Sequence, residues 1–311
     1  MSVRILDIIE NFDLEVLAEG KDNNEVTIND INRPGLQLAG FYNYFAKDRI
    51  QVIGKSEWSF LDELIPALRE KRIEKFLSYD IPCVILTRDL FLHDEVYEAA
   101  VKNNRWVLRT KLSSTSFISR ITMYLSHGLA PETRVHGTLV DIYGMGVLIT
   151  GVSGIGKSEA TLELIKRGHR LITDDAVDIK AIDEMLVGSC PEITFGMMEV
   201  RGLGIIDVSA LYGLSSVIAE KEIDMIIELE NWDDNGDYDR LGTDEYADIL
   251  GVDIKKIILP VKSGRNIAII IEAAAANFRY LGLSGASPSD LIDERIQDVA
   301  KRRELNSSND K

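Results

Sequence analysis

The run Gly151-Val152-Ser153-Gly154-Ile155-Gly156-Lys157-Ser158 carries the most specific chemistry in the sequence. It fills every fixed position of G-x-x-x-x-G-K-[ST], a loop whose backbone N–H groups converge on phosphate oxygens. Glycines allow the tight turn, and the helix that follows aims its N-terminal dipole at the same anion. Lys157 offers a point charge to the β- and γ-phosphates of a nucleotide, and Ser158 offers a hydroxyl to Mg²⁺. The flanks agree: apolar Val147-Leu148-Ile149-Thr150 precedes the loop, and SEATLELIKRG follows it as a helix closed by Gly168. A glycine-rich strand-to-helix turn can be purely structural, but lysine and serine at the fixed positions favour a bound nucleotide. The motif leaves the reaction open. The guanine-reading N-K-x-D is absent from the sequence, which argues against a GTPase.

Acids that could serve such a loop occur in two places. Asp174-Asp175 end the short strand HRLITDD, with Asp175 standing 17 residues after Ser158. Glu228 in MIIELE holds the more conventional Walker-B position and is a rival. Further on, MMEVRGLGIIDV (197–208) combines Glu199, Arg201 and two glycines, and Arg240 lies among acids in DYDRLG. LPVKSGRN (259–266) puts Lys262, Gly264 and Arg265 in a loop before the helical NIAIIIEAAAANF. Each has an ordinary reading as well. His136 alone is compatible with a turn, Arg240 with an ion pair to Asp237 or Asp239, Glu199 with a surface acid, and 259–266 with a helix-entry turn.

The elements around these residues alternate strand and helix, the pattern of an α/β chain. The sequence of 311 residues suggests about two domains. In the first part, RILDIIENF, the Pro66-interrupted FLDELIPALREKRIEKFLSYD, HDEVYEAAVKNN and SSTSFISRITMYLSHGLA read as helices. LEVLAEG, PCVILTRD and RWVLRTKLS read as strands. HGLAPETRVHG (127–137) is the linker candidate, dividing a small α/β domain (1–130) from a catalytic domain (131–311). RVHGTLVDIYGMGVLIT reads as strands joined by a glycine turn. SPSDLIDERIQDVAKRREL reads as a terminal helix with Ser287 as N-cap and Pro288 in the first turn.

Composition narrows the partners. The formal net charge is −16, and residues 221–250 hold eleven acids against two bases. Such a chain repels nucleic acid and anionic membrane surfaces. No uncharged apolar run reaches a membrane span; Ile267–Ala276 contains Glu272. Cys83 and Cys190 are too few and too distant for a disulfide framework or zinc site, so both read as structural thiols. The expectation is a soluble, cytoplasmic, reduced protein.

These residues together resemble the bifunctional HPr kinase/phosphorylase family of Gram-positive bacteria. The resemblance rests on Val135-His136-Gly137, the phosphate loop with Glu159, and Asp174-Asp175. It rests also on the segment Met198-Glu199-Val200-Arg201-Gly202-Leu203-Gly204-Ile205-Ile206-Asp207, on Arg240, and on Pro260-Val261-Lys262-Ser263-Gly264-Arg265-Asn266. Generic phosphate-loop proteins lack Glu199–Asp207, which makes it the most specific part. The resemblance implies a phosphate-loop (P-loop) kinase core similar to phosphoenolpyruvate carboxykinase, assembled as a homohexamer activated by fructose-1,6-bisphosphate. It implies ATP-dependent phosphorylation of a serine on the phosphocarrier HPr, and removal of that group by inorganic phosphate with release of pyrophosphate. It also implies control of carbon catabolite repression and sugar uptake. Carried onto this sequence, Asp175 matches the acid/base, His136, Lys157 and Arg240 catalytic groups, and Ser158 and Glu199 the Mg²⁺ ligands. Val261–Asn266 matches the loop associated with dephosphorylation, and 198–207 the segment that serves both reactions. Two readings from other classes stand beside it: a phosphate-loop ATPase or small-molecule kinase using Glu228, and a nucleotide-responsive binding protein.

Overall fold

A computed structural model describes residues 1–21, 24–232, 245–262, 264–284, 295–297 and 299. Arg240, Ser263, Ser287 and Pro288 lie outside the described residues. The chain forms two units, Met1–Pro131 and Glu132–Lys311.

The first unit begins with β1 (Val3–Arg4), α1 (Ile5–Phe12), β2 (Glu15–Ala18), β3 (Glu25–Val26), β4 (Ile31–Asn32) and α2 (Gly35–Leu38). It continues through β5 (Ile50–Ile53), α3 (Lys55–Glu63), α4 (Pro66–Leu77), β6 (Cys83–Leu86), α5 (Asp94–Asn103), β7 (Trp106–Arg109) and α6 (Ser114–Leu129). Its main sheet has the order β2-β7-β6-β5-β4, with β4 to β7 parallel and β2 antiparallel. Both faces of β5 and β6 are covered: β6 reads as a continuous apolar run, and β5 is broken only by buried Gln51, whose amide donates to the Ala46 and Arg49 carbonyls. Alternation sorts them: Val52, Cys83 and Ile85 pack with α1 and α6, and Ile53, Val84 and Leu86 with α4 and α5. Burial pushes the Cys83 thiol up from its ordinary value, which keeps it protonated. Pro66 starts α4, where a missing N–H costs nothing. The Ser113 hydroxyl accepts the Ser116 N–H and caps α6.

The second unit runs β8 (Glu132–His136), β9 (Thr138–Ile142), β10 (Met145–Gly151), α7 (Lys157–Lys166), β11 (Arg170–Thr173), β12 (Ala176–Ile182) and β13 (Met185–Ser189). Then come β14 (Met197–Val200), β15 (Gly204–Asp207), α8 (Val208–Tyr212), β16 (Glu220–Glu222), β17 (Met225–Asn231), β18 (Glu245–Ile249), β19 (Val252–Val261) and α9 (Ile267–Ser284). A six-stranded sheet, β11-β9-β10-β17-β19-β18, has β10, β17 and β19 parallel. One face packs on α7 and α9 through Val147, Ile149, Ile227, Leu164 and Ile271. The other packs on the antiparallel sheet β16-β13-β12-β8 through Leu139, Leu148, Val177, Ile179 and Leu186. The result is three layers: helices, mixed sheet, antiparallel sheet.

Two expectations are refined. The linker candidate 127–137 is mostly regular structure: α6 reaches Leu129, and Glu132–His136 is β8, paired with Ala176–Lys180 of β12. The boundary between the units, Pro131 to Glu132, does fall inside it, and its last residues belong to the strand reading that starts at Arg134. Val261 likewise belongs to β19, opposite Asn231, so the loop begins at Lys262. Among the described residues, no helix is long and apolar enough to cross a membrane.

Candidate active site

The phosphate loop joins β10 to α7. Gly151 (φ +137°) and Gly154 (φ +87°) hold backbone that other residues rarely adopt. A Cβ on Gly151 would lie 2.4 Å from the Leu229 carbonyl oxygen, and one on Gly154 would lie 2.6 Å from the Arg201 guanidinium. Ile155 turns inward into the core beneath the loop, anchoring it, while Val152 is exposed. The Lys157 ammonium is buried and donates to the Gly151 carbonyl at 2.9 Å and to that of Val152 at 3.4 Å. Around the loop lies an open cleft lined by His136, Ser153, Lys157, Ser158, Asp174, Asp175, Glu199 and Arg201.

The acid pair at the end of β11 divides its labour. Asp174 faces inward: the Ser158 hydroxyl donates to its two oxygens at 3.0 and 3.2 Å, and Thr138 Oγ1 donates at 2.6 Å. Burial pushes the Asp174 carboxyl above its ordinary value; hydrogen bonds from Thr138, Ser158 and the backbone pull the other way. Asp175 sits at φ +71°, which turns it out of the strand line into the mouth of the cleft. There its Oδ1 lies 3.1 Å from His136 Nδ1. The β8–β12 ladder, which sets Ala176 opposite His136, brings the two together.

Of the segment 198–207, Glu199 and Arg201 reach the cleft. Arg201 extends over the loop, 3.3 Å from Ser153 Oγ. Met198 and Val200 are buried against α7 and β11, as alternation in β14 requires. Asp207 caps α8, accepting from Ala210 N at 2.9 Å and Ser209 Oγ at 2.7 Å, and the Ala210 N–H holds its carboxyl below the ordinary range. Gly202, Leu203, Gly204 and Ile205 are exposed on the hairpin, with Ile206 partly buried. Lys262, Gly264, Arg265 and Asn266 lie between β19 and α9 and do not line the cleft. Asn266 Oδ1 accepts the Ile269 N–H at the start of α9. The rival Glu228 is outside the cleft; Lys256 Nζ binds it at 3.1 Å.

The site therefore holds two groups that spacing does not single out. Asp174 is half of a named pair, and only folding reveals that it, and not Asp175, grips Ser158. Thr138 carries no sequence signal. Among the described residues, no group of three or more His, Cys, Asp or Glu is gathered to hold a metal. Ser158, Asp174 and Glu199 are all-oxygen donors around one cleft. That set suits a hard divalent ion such as Mg²⁺, which prefers oxygen ligands.

Comparison with known proteins gives a consistent result. The family described as HPr Serine kinase C-terminal domain matches residues 127–296, and that described as HPr Serine kinase N terminus matches 3–125. The HPr kinase/phosphorylase of Clostridium perfringens (strain SM101 / Type A) is 63% identical over 297 residues, covering 95% of this chain and 97% of the relative. That of Clostridium botulinum (strain Eklund 17B / Type B) is 60% identical over 301 residues, covering 96% and 99%. A solved structure, the Hpr(Ser) kinase/phosphatase from Coxiella burnetii, is 38% identical and covers 48% of this chain and 97% of its own, with a TM-score of 0.45. With both halves matched and two relatives aligned nearly end to end, the chain belongs to the HPr kinase/phosphorylase family.

Proposed function

We propose that this chain phosphorylates a serine of HPr with ATP and, with inorganic phosphate, removes that phosphoryl group as pyrophosphate. The observation that carries the reading is the meeting of Ser158 with Asp174, and of His136 with Asp175, around one phosphate loop. In this reading 132–311 is a phosphate-loop kinase core similar to phosphoenolpyruvate carboxykinase, and the first unit is auxiliary.

In the forward direction the HPr serine oxygen attacks the γ-phosphorus. The new P–O bond forms as the bond to the β-bridging oxygen breaks, and the serine proton passes to the Asp175 carboxylate. A carboxylate is a weak base, but the transition state is loose and asks for little proton transfer until late. Orientation matters more, and the His136 contact supplies it. In the reverse direction a phosphate oxygen attacks the phosphoserine phosphorus. The P–O bond to serine breaks, Asp175 returns a proton to the serine oxygen, and pyrophosphate leaves. Lys157 and the loop amides hold the phosphates, and Arg240 is assigned to the charge on the group in flight. Ser158, Asp174 and Glu199 are the residues that would hold Mg²⁺. Bound there, the ion would neutralise charge on the phosphate oxygens. Lys262 and Arg265 are assigned to inorganic phosphate.

The proposal extends to a cytoplasmic homohexamer with fructose-1,6-bisphosphate as effector. The test is incubation of purified chain and HPr with labelled ATP and Mg²⁺, followed by phosphate. Serine labelling and then release of label as pyrophosphate are expected. An unlabelled HPr overturns the reading.

A further inference from the structure

Parallel strands β10, β17 and β19 end together. The register pairs Gly151 with Leu229, and Leu229 with Leu259. The phosphate loop, Trp232 and the 262–266 segment therefore leave the same carboxyl edge on neighbouring strands. That edge is where open α/β sheets take their ligands. Trp232 is fixed there by its backbone, whose N–H donates to the Val261 carbonyl at 3.1 Å. Its half-buried ring meets two cations: Lys262 Nζ lies 4.8 Å and Arg265 Cζ 4.9 Å from the ring centroid. The Arg265 N–H donates to the Lys262 carbonyl at 3.1 Å, closing the turn that brings both side chains to one indole. The electron-rich face of an aromatic ring attracts each cation and restrains its long side chain.

We propose that Trp232 is a positioning residue for the phosphate-dependent reaction. Its ring holds Lys262 and Arg265 as a preset pair of cations at the sheet edge, ready for an incoming inorganic phosphate. The inference rests on the assignment of those two cations to phosphate. Long cationic side chains lose rotamer freedom when they grip an anion. A ring that has already ordered them removes that cost from phosphate binding. Transfer from ATP brings its phosphates in through the phosphate loop and does not draw on the pair.

The test compares Trp232→Leu, which keeps apolar bulk, with Trp232→Phe, which keeps an aromatic face. Phosphorolysis of phosphoserine-HPr is followed against phosphate concentration in the full chain, and ATP-dependent phosphorylation of HPr is measured in parallel. Trp232→Leu should raise the KM for phosphate about tenfold, equivalent to about 1.4 kcal/mol, with little change in kcat. ATP-dependent phosphorylation should stay within about twofold, and Trp232→Phe should recover most of the phosphate KM. Equal behaviour of the Leu and Phe variants, or an equal loss in both directions, overturns the positioning role. Lys262→Ala and Arg265→Ala separate the two levels. If they weaken phosphorolysis and Trp232→Leu does not, the positioning role falls and the cation assignment stands. If neither changes phosphorolysis, the cation assignment falls and the positioning role with it.

Discussion

Two strand-to-helix turns in this molecule start alike and end differently. In the first unit β5 enters α3 through Gly54; in the second β10 enters α7 through the phosphate loop. Each strand has a parallel neighbour, and each helix begins after a glycine, Gly54 or Gly156. At Gly54 the donors are answered from within. Its buried N–H donates to Glu57 Oε2 at 3.0 Å, and Arg33 holds the same oxygen at 2.8 Å. Beside it the Thr87 and Ser114 hydroxyls pair at 2.7 Å. At Gly156 no side chain caps the helix, and the loop amides border an open cleft. A helix N-terminus carries unmet donors and a partial positive charge in either case. What makes one of them a site is that its sequence withholds the internal acceptor.

The contrast can be broken most severely at Lys157. Lys157→Ala should lower both HPr phosphorylation and phosphorolysis by at least about 10²-fold, read from transfer of label. Near-normal transfer would make the second turn as inert as the first. Next comes the choice of acid. Asp175→Asn should cost about 10²-fold or more in kcat, while Glu228→Gln stays within about threefold. The opposite ranking would return the role to the Walker-B position on β17. The smallest effect tests the closed turn. Glu57→Ala leaves the Gly54 N–H unmet and should destabilise the first unit by about 1–3 kcal/mol in urea unfolding. Glu57→Gln, which keeps an acceptor oxygen, should recover part of that, and HPr phosphorylation in native buffer should not change. A loss of activity without a loss of stability would show that the first turn is not merely structural.

The sequence exposed one of these turns and concealed the other. The phosphate loop is legible because its chemistry lies in eight consecutive residues. The Gly54 turn is not, because Arg33, Glu57, Thr87 and Ser114 come from four separate stretches of chain. The same physics explains the remaining gaps. Asp174 and Asp175 are adjacent letters, and only the positive φ at Asp175 decides which faces Ser158 and which faces the mouth. Strand β8 is legible only from Arg134 onward; Glu132 and Thr133, which follow Pro131, are strand because they pair with Lys180 and Ile179 across the chain. The strands β12 and β13 carry no chemical motif, although β12 seats His136 beside Asp175. The tryptophan–cation cluster joins positions thirty residues apart that meet only because β17 and β19 are parallel and in register.

The buried ammonium of Lys157 has one more consequence. A lysine has three N–H donors in a tetrahedral fan, and here two point at carbonyls of its own loop. The side chain is thus a tie rod that fixes the curvature of the loop, as well as a charge. A planar guanidinium spreads its donors in one plane and cannot span those two carbonyls from the same root while keeping a third direction for the cleft. Lys157→Arg therefore preserves the charge and loses the arch. In this loop shape and electrostatics hang on one nitrogen atom, and Lys157→Arg keeps the second while giving up the first.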